Sequence, residues 1–513
     1  MRMDPKPKRP FGEESCEAEI DTLQRSYSDY YFTHTFFTEK ALDEEIYLFV
    51  GRKGAGKTSL AHYFTFRKSD RDYECIDVDE PMVYHDVLCK MAATLATGPN
   101  VAISRIARLW EYIVWMLIFA QFQGHHPTIK VASVVTDKEG KWSRLIRTLL
   151  RGLFKKYAGD DGELISTLEN IVDEPAFQAA RTEVLKLTQR RPVFVVLDSL
   201  EDYATDDEAM MDALAGLVEC ASKMNKKYAG RGVHLKVFIT AEVFPHLCEE
   251  HVSNLLKFVR EPLHLLWRPK ELIRLICWRL YSYLQSKGAL LPDSKGAIDW
   301  ESSQDVIAKM WVPYFGATVT NAAGVEEQTL PYIVRHTQLR PRQMIVLCNA
   351  IAGIAQSEKT FPRFSRRAIV TGIQSQETSL AKEVLNSFKK VHPHVADIVS
   401  ALTSLPVRFH GRRLDFVAKD TASQWTDGKY SLMSFRRLVA ELGIVGRVRR
   451  FDERSRQCSA DFEYCLEDRL SLQPNDQCVI HPMFFAKFNV DVSEKIRVLP
   501  FPNRLGFEDV MTY

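Results

Sequence analysis

The 513-residue sequence carries almost no excess of charge of either sign. Sixty-eight lysines and arginines stand against 66 aspartates and glutamates, a formal net charge of +2. That balance neither demands nor excludes a nucleic-acid partner, so only local clusters can speak to one. No C-x-x-C pair occurs. The ten cysteines are scattered, and the closest run, Cys458, Cys465 and Cys478, fits no common zinc ribbon. A long chain with unpatterned cysteines reads as reduced and cytoplasmic. No apolar run is long enough to span a bilayer. The most membrane-like stretch, 109–122, is short and contains Glu111, so a buried helix is expected there and no membrane association. The opening residues hold Arg2, Lys6, Lys8 and Arg9 among prolines and lack the apolar segment of a secretory signal, so they read as a flexible tail. Internal repeats are absent, as are low-complexity tracts beyond the first ten residues.

What remains is ordinary for a folded chain: 46% hydrophobic and 26% charged residues. At roughly 150 residues per domain the length corresponds to about three domains. Residues 45–50 read Glu-Ile-Tyr-Leu-Phe-Val, a short apolar run suited to a buried parallel strand. Next come Gly51, Arg52, Lys53, Gly54, Ala55, Gly56, Lys57, Thr58 and Ser59, matching G-x-x-x-x-G-K-[ST], and then a stretch to Arg67 that can continue as a helix. The spacing has a physical reason. Glycines let main-chain N–H groups turn inward around phosphate oxygens, and the helix start adds its positive dipole end. Lys57 can reach the β- and γ-phosphates, and the Thr58 hydroxyl can ligate magnesium. The pattern therefore predicts a nucleoside triphosphate with Mg2+. No N/T-K-x-D base-reading motif stands out, which favours ATP over GTP.

A second acidic element is needed to hold magnesium and orient water. Residues 192–197, Pro-Val-Phe-Val-Val-Leu, form an apolar run ending in Asp198, the Walker B pattern. Asp198 is assigned to the magnesium shell, and Glu201 or Asp202 to polarising the attacking water. The alternative for Asp198 is a cap on the next helix. A third run, 234–239, ends in Thr240, which could touch the γ-phosphate or its water or could equally cap a helix. Further on, Pro341 suits a helix start, placing Arg342 in a first turn whose dipole disfavours cations, so an anion is expected beside it. That anion could be the γ-phosphate or the carboxylate of a structural ion pair.

Together, Phe49–Ser59, Val195–Asp202, Val237–Thr240, Leu263–Trp267 with Glu271–Leu275, and Arg340–Ile345 resemble the AAA+ and STAND branch of P-loop ATPases. More closely, they resemble a group of bacterial ATPases often linked to mobile or defence gene sets. The resemblance covers about residues 30–380 and is most specific at the phosphate loop. It implies an α/β fold, a P-loop NTPase with a parallel sheet flanked by helices and followed by a helical lid. It also implies that Thr240 is the sensor-1 residue and Arg342 the sensor-2 arginine. Ser199 follows Asp198 where Asp-Glu or Asp-Asp is usual, leaving the catalytic carboxylate open between Glu201 and Asp202. No Arg-Arg pair near Thr240 marks a finger reaching into a neighbouring subunit, and Arg260 is the nearest candidate.

The expected organisation is a tail and arm over 1–30, an NTPase core over 31–265 with a helical insertion at about 98–178, a lid over 266–385, and a winged-helix-like domain over 386–513. The insertion carries Arg144, Arg147, Arg151, Lys155 and Lys156 at helical spacing, a solvated face or a contact for a nucleic acid or an acidic partner. The last domain gathers Arg412, Arg413, Arg436, Arg437, Arg447, Arg449, Arg450, Arg454 and Arg456, interrupted by Asp452, Glu453, Asp461 and Glu463. Two functions remain open. One is an ATP-hydrolysing switch acting on a protein partner or a second copy of the chain, plausible in bacterial conflict or defence. The other is a regulator that binds duplex DNA and holds ATP with little turnover.

Overall fold

Five apolar runs pair side by side, all parallel, into one sheet. In the computed structural model these are β1 (Leu48–Gly51), β2 (Glu74–Val78), β3 (Val193–Leu197), β4 (Val233–Thr240) and β5 (Leu263–His264), in the order β2-β3-β4-β1-β5. The described residues are 5–67, 72–96, 102–133, 141–157, 161–198, 208–248, 262–389, 391–425, 430–466 and 469–501. The chain divides into two units, Phe36–Leu265 and Met1–Thr35 with Leu266–Tyr513.

In the first unit, helices cover the sheet, as an all-parallel sheet requires. The strands are buried almost throughout, and their two faces differ in chemistry. Leu48, Val50, Ile76, Val78, Val195, Leu197, Val237 and Ile239 alternate onto an aliphatic face. That face joins one continuous core with three helices, α2 (His85–Leu95), α3 (Ala102–Phe122) and α6 (Glu208–Tyr228). Between α3 and α6 in sequence lie α4 (Trp142–Lys156) and α5 (Pro175–Thr188). Gly216 on α6 lets α3 approach closely, since a Cβ there would lie 2.6 Å from Ile106 Cγ2. The opposite face carries Phe49, Phe194, His234, Lys236 and Phe238. Phe194 contacts Phe64 of α1 (Lys57–Arg67) at 5.5 Å between ring centres, and His234 stacks on Phe194 at 4.7 Å. Lys236 is fully buried, lies over the Phe49 and Phe194 rings, and donates to the carbonyls of Asp43 and Ile46.

That lysine explains one difference from the expected strand over 45–50. The strand begins at Leu48 because residues 43–46 close a turn instead, with the Glu45 amide donating to Asp43 Oδ1 at 3.0 Å and the Ile46 amide to the Asp43 carbonyl at 3.3 Å. The turn presents its carbonyls to Lys236. The basic face of α4 is exposed at Arg144, Arg147, Arg151, Lys155 and Lys156. No helix among the described residues is long and apolar enough to cross a membrane.

The second unit is built around α7 (Pro269–Lys287), α8 (Thr329–Val334), α9 (Pro341–Ser357) and α10 (Arg366–Ser387), with a hairpin of β6 (Thr318–Thr320) and β7 (Glu326–Gln328). The residues expected as a free tail and arm are partly held here. Phe11 is fully buried, its amide donates to Asn349 Oδ1 and its carbonyl accepts from Arg279, while Arg279 pairs with Glu19. Beyond α10 come α11 (Val395–Val399), β8 (Arg408–His410), α12 (Arg412–Ala418) and α13 (Leu432–Glu441). The chain then continues through β9 (Val445–Asp452), β10 (Gln457–Asp461), β11 (Gln477–Ile480) and β12 (Arg497–Leu499). The last five strands form a sheet in the order β12-β10-β9-β11-β8. The β9–β10 hairpin turns at Asp452–Arg456, where Arg456 takes φ +52° and Asp452 accepts from the Arg454 amide.

Candidate functional site

The parallel strands deliver their last residues to one edge of the sheet, the edge at which α/β proteins bind ligands. β4 lies between β1 and β3, with Gly51 opposite Thr240 and Leu197 opposite Val237. The phosphate-loop sequence, Asp198 and Thr240 thus meet at adjoining strand ends. Asp198 is buried, and its amide donates to the Val78 carbonyl at 3.2 Å.

The loop from Gly51 to Gly56 connects β1 directly to α1. Gly54 and Gly56 take φ of +82° and +95°, which side chains with a Cβ rarely adopt, so these two positions require glycine. A Cβ on Gly56 would meet no atom within 4 Å, so space lies open over the loop there. The loop is pinned at its base: the Ala55 amide donates to the Arg52 carbonyl at 2.9 Å, and the Ala241 amide to the Gly51 carbonyl at 3.1 Å. Lys57 is buried, and its Nζ donates to the carbonyls of Gly51 at 2.9 Å and Arg52 at 3.3 Å. Its ammonium therefore lies along the loop itself. Thr58 and Ser59 follow in the first turn of α1, where the helix dipole favours an anion.

These residues fit a magnesium-bound triphosphate on chemistry. Glycine-shaped open space, a helix start and an ammonium suit phosphate oxygens, while the Thr58 hydroxyl and the Asp198 carboxylate are the hard oxygen donors that Mg2+ prefers.

Glu242 was not singled out from sequence. It is buried, accepts from the Lys53 amide at 3.2 Å through Oε1, and accepts from the Thr240 hydroxyl through Oε2. It ties the end of β4 to the phosphate loop. The signal was a carboxylate two residues beyond the expected sensor position. A second missed pair is His62 of α1 with Asp77 of β2, Nδ1 to Oδ2 at 2.9 Å, with the Thr65 hydroxyl donating to the same Asp77 oxygen at 3.2 Å. Burial pulls the His62 pKa down, but the Asp77 hydrogen bond and the charges of Asp77, Asp198 and Asp79 outweigh it and leave the imidazole easier to protonate. Asp79 is shifted upward by burial, against Lys141 and with Asp77 and Glu80. A negative field thus gathers at the edge where a cation would bind.

Glu201, Asp202, Ser199 and Arg260 lie outside the described residues. Arg342 belongs to the second unit. It sits in the first turn of α9, where Nε donates to the Glu14 carbonyl at 3.1 Å and Nη1 lies 3.4 Å from Glu383 Oε1. In the C-terminal sheet region, Arg436 pairs with Asp415 and Arg437 binds both Glu463 oxygens. Arg449, Arg450, Arg454 and Arg456 on the β9–β10 hairpin are exposed.

Compared with known proteins, the chain matches no family model, no curated protein and no solved structure.

Proposed function

We propose that the Phe36–Leu265 unit is a P-loop ATPase domain of AAA+ or STAND type, and that the chain is a molecular switch whose nucleotide state controls a partner. The observation that carries this reading is the strand–glycine loop–helix with Asp198 and Thr240 at the neighbouring strand ends. Bound ATP with Mg2+ would supply the triphosphate whose γ-phosphate is lost to water. The chain's own residues act around it. Loop amides and the α1 start would hold the phosphate tail together with Lys57. Thr58 and Asp198 would hold the magnesium, and Thr240 would contact the far phosphate. Glu201 or Asp202 would take the water's proton, and by the resemblance Arg342 would be the sensor-2 arginine. The difference in γ-phosphate contacts before and after hydrolysis supplies the differential affinity that a two-state change needs. Work in bacterial conflict or defence is consistent with the resemblance.

The decisive test is Lys57→Ala titrated with Mg-ATP in a calorimeter. The substitution should abolish measurable binding, and wild-type heat and affinity in the variant would defeat the proposal.

A second reading is a DNA-bound regulator with slow turnover. The exposed arginines of the β9–β10 hairpin favour it, as phosphate contacts. The ion pairs of Arg436 and Arg437 count against base reading by α13. Duplex binding that weakens steeply with salt, alongside undetectable phosphate release, would select it.

A further inference from the structure

A cavity of about 410 Å³ lies in the second unit, lined only by residues outside Phe36–Leu265. Its volume is that of a small-molecule pocket. One wall is helical and polar: His336 just after α8, and Gln374 and Glu377 on α10. The segment after β11 contributes apolar Phe485, Val490 and Ile496 together with polar Asn489, Lys495 and Arg497.

Two observations show a site prepared for a ligand. The His336 side chain is more than nine-tenths buried, yet neither ring nitrogen has a hydrogen-bond partner of good geometry among the described residues. Nδ1 lies 3.1 Å from Glu377 Oε1, an ion-pair contact that fixes the ring and leaves Nε2 to be satisfied. Arg497, which also lines the cavity, spends Nη2 on the Ser455 carbonyl at 2.8 Å, while its Nε is buried and without a hydrogen-bond partner among the described residues. Buried polar atoms are ordinarily paired, so two orphans on one cavity point to a group that completes them. The charge is also directional. Arg335 is neutralised by both oxygens of Glu327, which leaves Lys495 and Arg497 against the single Glu377 carboxylate.

We propose that this cavity binds a small organic anion with a flat apolar body. The body lies against Phe485, Val490 and Ile496, and the anionic group is held by His336 Nε2, Arg497 and Lys495. The site gives the chain a second, chemically distinct input, and it stands whether or not the first unit binds ATP.

The test uses the full chain with 1-anilinonaphthalene-8-sulfonate as the probe, read by fluorescence and calorimetry. One saturable site per chain is expected. His336→Gln should weaken it about tenfold, the effect of losing one charge-assisted hydrogen bond. Ala486→Trp, at an exposed position on the cavity rim, should abolish it by filling the space while the melting temperature stays near wild type. The neutral N-phenyl-1-naphthylamine should bind more weakly than the sulfonate. Absence of a saturable site in the wild type, equal binding by both variants, or equal binding of the neutral dye would overturn the proposal.

Discussion

Replacing Gly56 by alanine separates the conformational demand of the phosphate loop from its ligand chemistry. Gly56 sits at φ +95°, and a Cβ there meets no protein atom within 4 Å. The folded protein therefore suffers backbone strain alone, about 1–3 kcal/mol. For a unit of some 230 residues, that lowers the melting temperature by about 2–12 °C. On the proposed reading, however, the methyl group occupies the open space where phosphate oxygens would approach. Mg-ATP at a hundred times its Kd should raise wild-type stability by about 2.7 kcal/mol, and this rise should vanish in the variant. Gly288→Ala is the matched control, since Gly288 caps α7 at φ +65° with nothing within 4 Å of its Cβ position. It should lose similar stability and keep the nucleotide-dependent rise. Differential scanning of the three proteins with and without Mg-ATP reads both quantities. A Gly56→Ala protein that keeps the full wild-type rise would refute the assignment of the loop as the phosphate cradle.

Glu242→Gln removes a buried negative charge that accepts from the Lys53 amide, so Mg-ATP should bind more tightly, by up to about tenfold, in a fluorescence titration; unchanged affinity would place the carboxylate outside the field felt by the phosphates. Arg342→Ala loses a half-exposed ion pair with Glu383 and a hydrogen bond to the Glu14 carbonyl, so stability should fall by about 1–2 kcal/mol while phosphate release drops sharply. Wild-type turnover in that variant would confine Arg342 to the ion pair. Stability should also fall as pH drops below about 6.5. Burial, with Lys236 adding repulsion, lowers the His234 pKa to about 4, and burial, with His336 adding repulsion, lowers that of His481 to about 3. The unfolded chain takes up protons that these folded imidazoles refuse, so each histidine costs about 2–4 kcal/mol near pH 4. Urea midpoints from pH 7.5 to 4.5 test the slope, and His234→Phe should flatten it.

The candidate site was legible where its residues are consecutive. Nine consecutive residues carry the glycine spacing, the lysine and the hydroxyls, and the continuous apolar runs of β1, β3 and β4 announce a sheet covered on both faces. The order of the strands is not local, so the sequence could name Asp198 and Thr240 without placing them beside Gly51. Glu242 escaped notice because its partners, the Lys53 amide and the Thr240 hydroxyl, converge only through β1–β4 pairing. His62 with Asp77 and His336 with Glu377 join residues on separate elements, and no spacing rule connects them. The arginine cluster misled in a different way. Charges counted along the chain looked available, but Arg436 and Arg437 are met by Asp415 and Glu463, 21 and 26 positions away. The early end of the expected strand at 45–47 has the same origin, since the buried Lys236 that claims those carbonyls lies some 190 residues downstream.

The division of the chain also sets a schedule for its birth on the ribosome. Phe11 and Glu19 find their partners at Asn349 and Arg279, after the whole Phe36–Leu265 unit has been made. At roughly 5–20 residues per second, some 230 residues take about 10–50 seconds to translate. During that interval the first 35 residues wait with an apolar phenylalanine uncovered, while the intervening unit has time to fold first. A nascent chain stalled before Arg279 should therefore offer Phe11 to a chaperone, and one released at full length should not.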